Sequence, residues 1–119
     1  MDIKSKNGEL LVRLMAATSL RDRWISNNIA NQNVPGYKRR DVHFEELLQE
    51  KVAHGDPDLL STKPEVTIDS TSPAGSDGNN VNLELETTKA RENRLMFELY
   101  ASIFQSRMEL IQSAITSSR

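Results

Sequence analysis

Residues 94–111 read RLMFELYASIFQSRMELI, and the spacing of apolar groups in this stretch decides the fold. Leu95/Met96, Leu99/Tyr100, Ile103/Phe104, Leu110/Ile111 and Ala114/Ile115 form adjacent pairs. The pairs recur at steps of four and seven residues, the period of a helix and not the alternation of a strand. Upstream, Asp77-Gly78-Asn79-Asn80 is a run of turn formers. Asn82 or Asn80 then suits an N-cap, and Glu84 and Glu86 suit the positive end of the helix dipole. The spacing predicts a helix over 81–116, roughly 50 Å long.

A second helix is predicted from Asn7 or Gly8 to Asn31. Leu10/Leu11, Leu14/Met15, Ala17, Trp24/Ile25 and Ile29 again follow the helical period. Its end is set by Pro35, which keeps Val34 out of the helical region. Val34-Pro35-Gly36-Tyr37 has the residues of a type II turn, with Pro second and Gly third.

Eight of the nine Pro and Gly residues lie between Pro35 and Gly78, so two helix-permitting ends flank a broken middle. Charge divides the same way: +5 over 1–40, −7 over 41–80 and 0 over 81–119. Residues 43–48 could form one or two helical turns and Val66-Thr67-Ile68 a short strand. Gly55 to Ser76 reads as a mobile loop. The expected fold is all-α: two long antiparallel N- and C-terminal helices in a coiled-coil-like hairpin, with a largely irregular middle. The segments are 1–44 (helix plus turn motif), 45–80 (variable linker) and 81–119 (second helix), the two helices forming one core.

The chain has 119 residues, 37% of them hydrophobic, a net charge of −2 and no cysteine. That is little material for a self-sufficient core. Disulfides, thiolate metal sites and a Cys nucleophile are excluded. The charge balance argues against a nucleic-acid binder, no stretch is long and apolar enough for a membrane span, and Met1–Gly8 shows no signal-peptide h-region. His43 and His54 lack zinc-ligand spacing, and Asp77-Gly78-Asn79 is only a fragment of a calcium loop. Asp41, Glu45, Glu46 and Glu50 read as a solvated helix face rather than an acid–base pair. No enzyme, cofactor, metal or small-molecule substrate is expected.

Apolar pairs at i, i+1, i+4 and i+5 cover about 140° of a helix, wider than a two-stranded seam requires. Leu10, Leu14, Ile25 and Ile29 are expected to pack on Leu85, Leu95, Leu99, Ile103 and Leu110. Residues 41–80 carry too few apolar groups for another amphipathic helix, so the surplus surface calls for other chains. Asn27, Asn28, Asn31, Gln32 and Asn33 make the end of the first helix unusually polar. Asn28 falls on its apolar side, where a buried amide fixes register.

Asn28-Ile29-Ala30-Asn31, then Pro35-Gly36-Tyr37-Lys38, Arg40-Asp41 and Phe44, resembles the N-terminal signature of bacterial flagellar axial proteins of the rod and hook. The short chain and Asp77-Gly78-Asn79-Asn80-Val81 before Leu83-Glu84 narrow the likeness to the proximal rod proteins, the FlgB family. Val34 stands where that family usually has Thr, His43 where an acid is common, and Asn82 where Asp is usual. The resemblance implies a structural rod subunit of the flagellar basal body, polymerising through its terminal helices to transmit torque. It would be exported by the flagellar type III apparatus without a cleaved signal peptide and assembled in the cell envelope. Its implied partners are copies of itself, other rod proteins, the rod adaptor, the export gate and the MS-ring. The residues expected to carry assembly are Asn28, Ile29, Asn31, Pro35, Gly36, Tyr37, Arg40, Phe44, Leu95, Leu99, Ile103 and Leu110, with 28–44 locking neighbouring subunits. The alternative is a small helical adaptor or needle-like component of a type III secretion system.

Overall fold

The computed structural model describes residues 5–117; the outermost ends of the expected segments, 1–4 and 118–119, lie outside the described residues. Helix α1 (Lys6–Ala30) starts where the Ser5 hydroxyl accepts the Gly8 N–H at 3.2 Å. It ends where the Asn31 N–H turns back to the carbonyls of Asn27 and Asn28. The next residues form the type II turn: Gly36 has φ 77°, and the Tyr37 N–H donates to the Val34 carbonyl at 3.2 Å. Strand β1 (Arg40–His43), helix α2 (Glu45–Ala53), strand β2 (Glu65–Ile68) and helix α3 (Leu83–Ser117) follow. Asn82 caps α3 by accepting the Leu85 N–H at 3.3 Å.

The two long helices run antiparallel, as three hydrogen bonds along their seam show. Arg107 donates to Ser5 at one end, Asn93 to the Thr18 carbonyl midway, and Asn28 to Glu86 at the other end. The molecule measures 68 × 29 × 16 Å. It is a thin slab in which α1 and α3 form one layer and the middle segment is laid on one face of α1.

That middle is more ordered than its composition suggests. β1 was not anticipated; it pairs antiparallel with β2, Arg40 opposite Ile68 and His43 opposite Glu65. Nor do residues 41–80 need a full amphipathic stripe to close over α1. Phe44 and Leu48, one turn apart, pack with Ala17 into a buried cluster flanked by Leu10, Leu14 and Leu59.

The expected leucine seam is corrected. Leu85, Leu95, Leu99, Ile103 and Leu110 are not the buried seam of α3; all five are exposed. In four of the doublets the second member faces inward: Met96, Phe104 and Ile111 are half-buried and Tyr100 is buried. One helix of α1's width covers only one side of an i, i+1 pair, because neighbours on a helix point about 100° apart. The most buried positions of α3 are Glu86, Asn93 and Tyr100, spaced by seven, so the seam has a coiled-coil period filled largely with polar groups.

Truncating the doublets should therefore be asymmetric. In urea denaturation followed by circular dichroism, Leu99→Ala should shift unfolding by no more than about 0.5 kcal/mol. Phe44→Ala should cost about 3–5 kcal/mol.

Candidate assembly site

Asparagine 28 lies fully buried near the end of α1 and uses its whole hydrogen-bonding capacity. Its amide nitrogen donates to the Arg40 carbonyl at 3.0 Å and to Glu86 Oε2 at 3.3 Å. Its oxygen accepts from the Tyr37 hydroxyl and the Arg40 N–H, each at 3.0 Å. Two donors and two acceptor sites on one short side chain are what an amide offers and a carboxylate does not. Residues 28, 37, 40 and 86 are thereby joined through a single group.

Arg39 is buried beside it. Its guanidinium pairs with Glu86 through Nε, with Asp41 at 2.7 Å and with Asp69 at 3.0 Å. Burial disfavours its charge, but the hydrogen bonds to Asp41, Glu86 and Asp69 outweigh that and hold it firmly protonated. Asp69 accepts from the Ser72 hydroxyl, from the Thr71 and Ser72 N–H groups and from Arg39. Led by the Ser72 hydroxyl, these bonds overcome desolvation and hold its carboxyl well below the usual range.

The turn before α3 docks on the turn after α1. Asn79 donates to the carbonyls of Asn31 and Val34, both at 2.8 Å, and its oxygen accepts the Val81 N–H at 2.8 Å. Asn80 accepts the Arg39 N–H and donates to the Asp69 carbonyl, both at 2.7 Å. Gly36 donates to the Asp77 carbonyl at 2.8 Å, and Lys38 reaches the Gly78 carbonyl. Gly78, at φ 83°, brings its backbone against Gly36, and a β-carbon there would stand 3.4 Å from the Gly36 Cα.

A second polar cluster ties the middle segment to both helices. Arg21 contacts the Val42 carbonyl, Glu45 at 2.6 Å and Asn93 at 3.1 Å. Tyr100 donates to Glu45 at 3.2 Å. Desolvation pushes the Glu45 carboxyl up, but the hydrogen bond from Arg21 and the lesser contributions beside it leave it below its usual value. Burial, then the Glu45 charge, pushes the Tyr100 hydroxyl up to about 12. Arg40 stacks its guanidinium 5.1 Å from the centre of the Trp24 ring.

A family described as "Flagella basal body rod protein" matches residues 15–38, the second half of α1 and the turn. The flagellar basal body rod protein FlgB of Borrelia hermsii is 30% identical over 122 residues, covering 87% of this chain and 90% of the relative. The chain belongs to the FlgB family of flagellar basal body rod proteins. FlgB of Borreliella burgdorferi is 27% identical, covering 76% of this chain and 82% of the relative. FlgB of Bacillus subtilis is 22% identical with both chains covered throughout. The role that goes with the family is that of a structural subunit of the flagellar basal body rod.

The site residues named from this FlgB-family sequence fall into two groups. Asn28 and Phe44 are buried within the chain, Ile29, Asn31, Tyr37 and Arg40 are half-buried, and Pro35 and Gly36 lie exposed at the turn. The motif thus first joins parts of one subunit; Asn28 and Phe44 have no surface left for a neighbour. On α3, Leu95 (65% exposed), Leu99 (53%), Ile103 (41%) and Leu110 (68%) form the outward group.

Sequence reasoning missed Arg39, Glu86, Asp69 and Asn93. Arg39 sits in the basic run Lys38-Arg39-Arg40, which reads as a weak nucleic-acid contact or a cluster facing a neighbouring subunit rather than a buried group, and Glu86 reads as a helix-dipole charge. Asp41 and Glu45, taken for a solvated acidic face, are held by Arg39 and Arg21. Only Asn93 carried a signal, since asparagine is a poor choice in mid-helix unless its amide is used.

Two outcomes follow from the network. Glu86→Ala should cost about 3 kcal/mol or more in urea denaturation, because it leaves a buried guanidinium short of a partner. Asp69 has a folded-state pKa below its unfolded value, so its stabilisation is complete above that unfolded value and is lost as the pH falls. Wild type should lose stability below about pH 4, and Asp69→Asn should be weaker at neutral pH but show a shallower acid decline.

Proposed function

We propose that the chain builds the proximal part of the rod by polymerising through the outer face of α3, and that the resulting tube transmits motor torque. The exposed row Leu95, Leu99, Ile103 and Leu110, on the side of α3 turned away from α1, carries this reading. Complete burial of four such side chains supplies at most about 6–12 kcal/mol. Association costs about 4–15 kcal/mol, so one contact alone holds a subunit weakly. A lattice in which each subunit touches several neighbours suits that balance, because linked contacts reinforce one another.

In this reading 1–44 and 81–119 form the axial core, and 45–80 is carried on it as the variable piece. The role is structural rather than catalytic. The partners are copies of the chain, other rod proteins, and the adaptor, export gate and MS-ring at the rod base. Export proceeds unfolded through the flagellar type III apparatus, without a cleaved signal peptide, into the cell envelope. The small apolar cluster around Phe44 supports this, since little burial opposes unfolding for transport.

Leu99→Asp or Ile103→Asp should abolish swimming and rod assembly. Expression and the circular dichroism of the isolated chain should stay as in wild type, because both side chains are exposed and outside the buried seam. Normal swimming with either variant, or absence of the chain from isolated basal bodies, would overturn the proposal.

A further inference from the structure

The face of the α1–α3 layer away from the middle segment holds a second feature. A groove of about 680 Å³ runs between the helices, with Arg23 on the α1 side and Arg91, Arg94 and Phe97 on the α3 side. Arg91, Arg94 and Phe97 are spaced by three and share one face of α3. Arg23 lies two residues beyond Arg21, which faces the middle segment, and so points about 200° round α1 from it. The only lining carboxylate is Asp22, and Arg94 has Glu98 at 3.8 Å on a largely exposed part of its own helix. Arg23 and Arg91 have no ion-pair partner among the described residues. Phe97, on the α3 wall, is exposed.

The opposite face of the molecule carries the matching chemistry. Of the acidic groups of residues 41–80, Asp41, Glu45 and Asp69 are already spent on Arg39 and Arg21. The other six, Glu46, Glu50, Asp56, Asp58, Glu65 and Asp77, are exposed, and of these Asp56 and Asp58 stand together, on either side of Pro57 in the loop after α2. The loop is held in shape: the Asp58 N–H donates to Asp56 Oδ1 at 2.9 Å, and Lys51 and Lys6 bond the carbonyls of Asp58 and Pro57.

We propose that the arginine groove of one subunit receives the Asp56-Pro57-Asp58 loop of a second copy of this chain. The two carboxylates pair with the guanidiniums, and the proline ring rests on Phe97. The loop cannot reach the groove of its own chain. Lys6 pins Pro57 at the start of α1, whereas the groove begins near Thr18, about 18 Å along the axis and on the other face. Groove and loop are different patches, so the contact is head-to-tail and propagates into a ring or an open helix instead of closing as a dimer. The inference rests on the reading of the chain as a polymerising rod subunit and names a contact separate from the apolar row on α3.

The chain has no native cysteine, which makes disulfide trapping clean. Pro57→Cys and Ala90→Cys in one chain, replacing the native copy, should give a ladder of cross-linked species in oxidised basal bodies. Arg91→Glu with Arg94→Glu added should reduce the ladder at least tenfold. Co-expression with a chain carrying Asp56→Lys and Asp58→Lys, with the same cysteines, should bring it back. If the chain is present in basal bodies but forms no ladder, the groove contact is wrong while the rod reading stands. If it is absent from them, both fall. A charge-reversed groove that leaves the ladder intact but abolishes retention on heparin would assign the arginines to a polyanion and overturn the proposal.

Discussion

The guanidinium of Arg39, taken out of water among Glu86, Asp41 and Asp69, is the constraint on which the rest of the subunit depends. A buried cation is tolerable only where each lost water is replaced by a well-placed acceptor. Here the acceptors come from β1, from the residue after β2 and from the first turn of α3. The charge is satisfied only when all three are in place. An apolar cluster of the same volume could be as stable, but it would accept small slips between elements. The ion cluster does not, because moving one carboxylate leaves the arginine short of a partner.

Asn28 extends the same logic to α1. Its amide needs Tyr37, Arg40 and Glu86 at once, so the exit of α1, the turn and the entry of α3 have one mutual arrangement. Asn79, Asn80 and the close approach of Gly78 to Gly36 fix the two turns against each other from the other side. The two short motifs that carry the resemblance, far apart in the chain, are one structure in space. Asn28, Asn79 and Asn80 each donate and accept together, which aspartate cannot do at neutral pH.

Putting polar groups in the seam leaves apolar ones for the outside. The i, i+1 doublets of α3 place Tyr100 and its companions toward α1 and the leucines beside them outward. A rod subunit has reason to be built this way. Its internal geometry is set by directional bonds that do not depend on neighbours, while large apolar side chains stay exposed on α3, where the proposed assembly contacts would use them. In the proposed head-to-tail contact, an arginine groove on one face and an acidic loop on the other would give assembly a direction.

The two long helices, their ends, the Pro-Gly turn and the surplus of apolar surface were legible in the sequence, because each depends on local spacing and backbone preference. The likeness to rod proteins was legible too, from two short motifs. Which member of each doublet turns inward was not, since period alone gives a face about 140° wide and does not say where a narrower partner will lie on it. Nor was the fate of the charges: one residue at a time, Arg39 belongs to an outward basic cluster and Glu86 to a helix N-terminus. Their burial depends on elements 47 residues apart meeting in space, and a pairing that distant leaves no local trace.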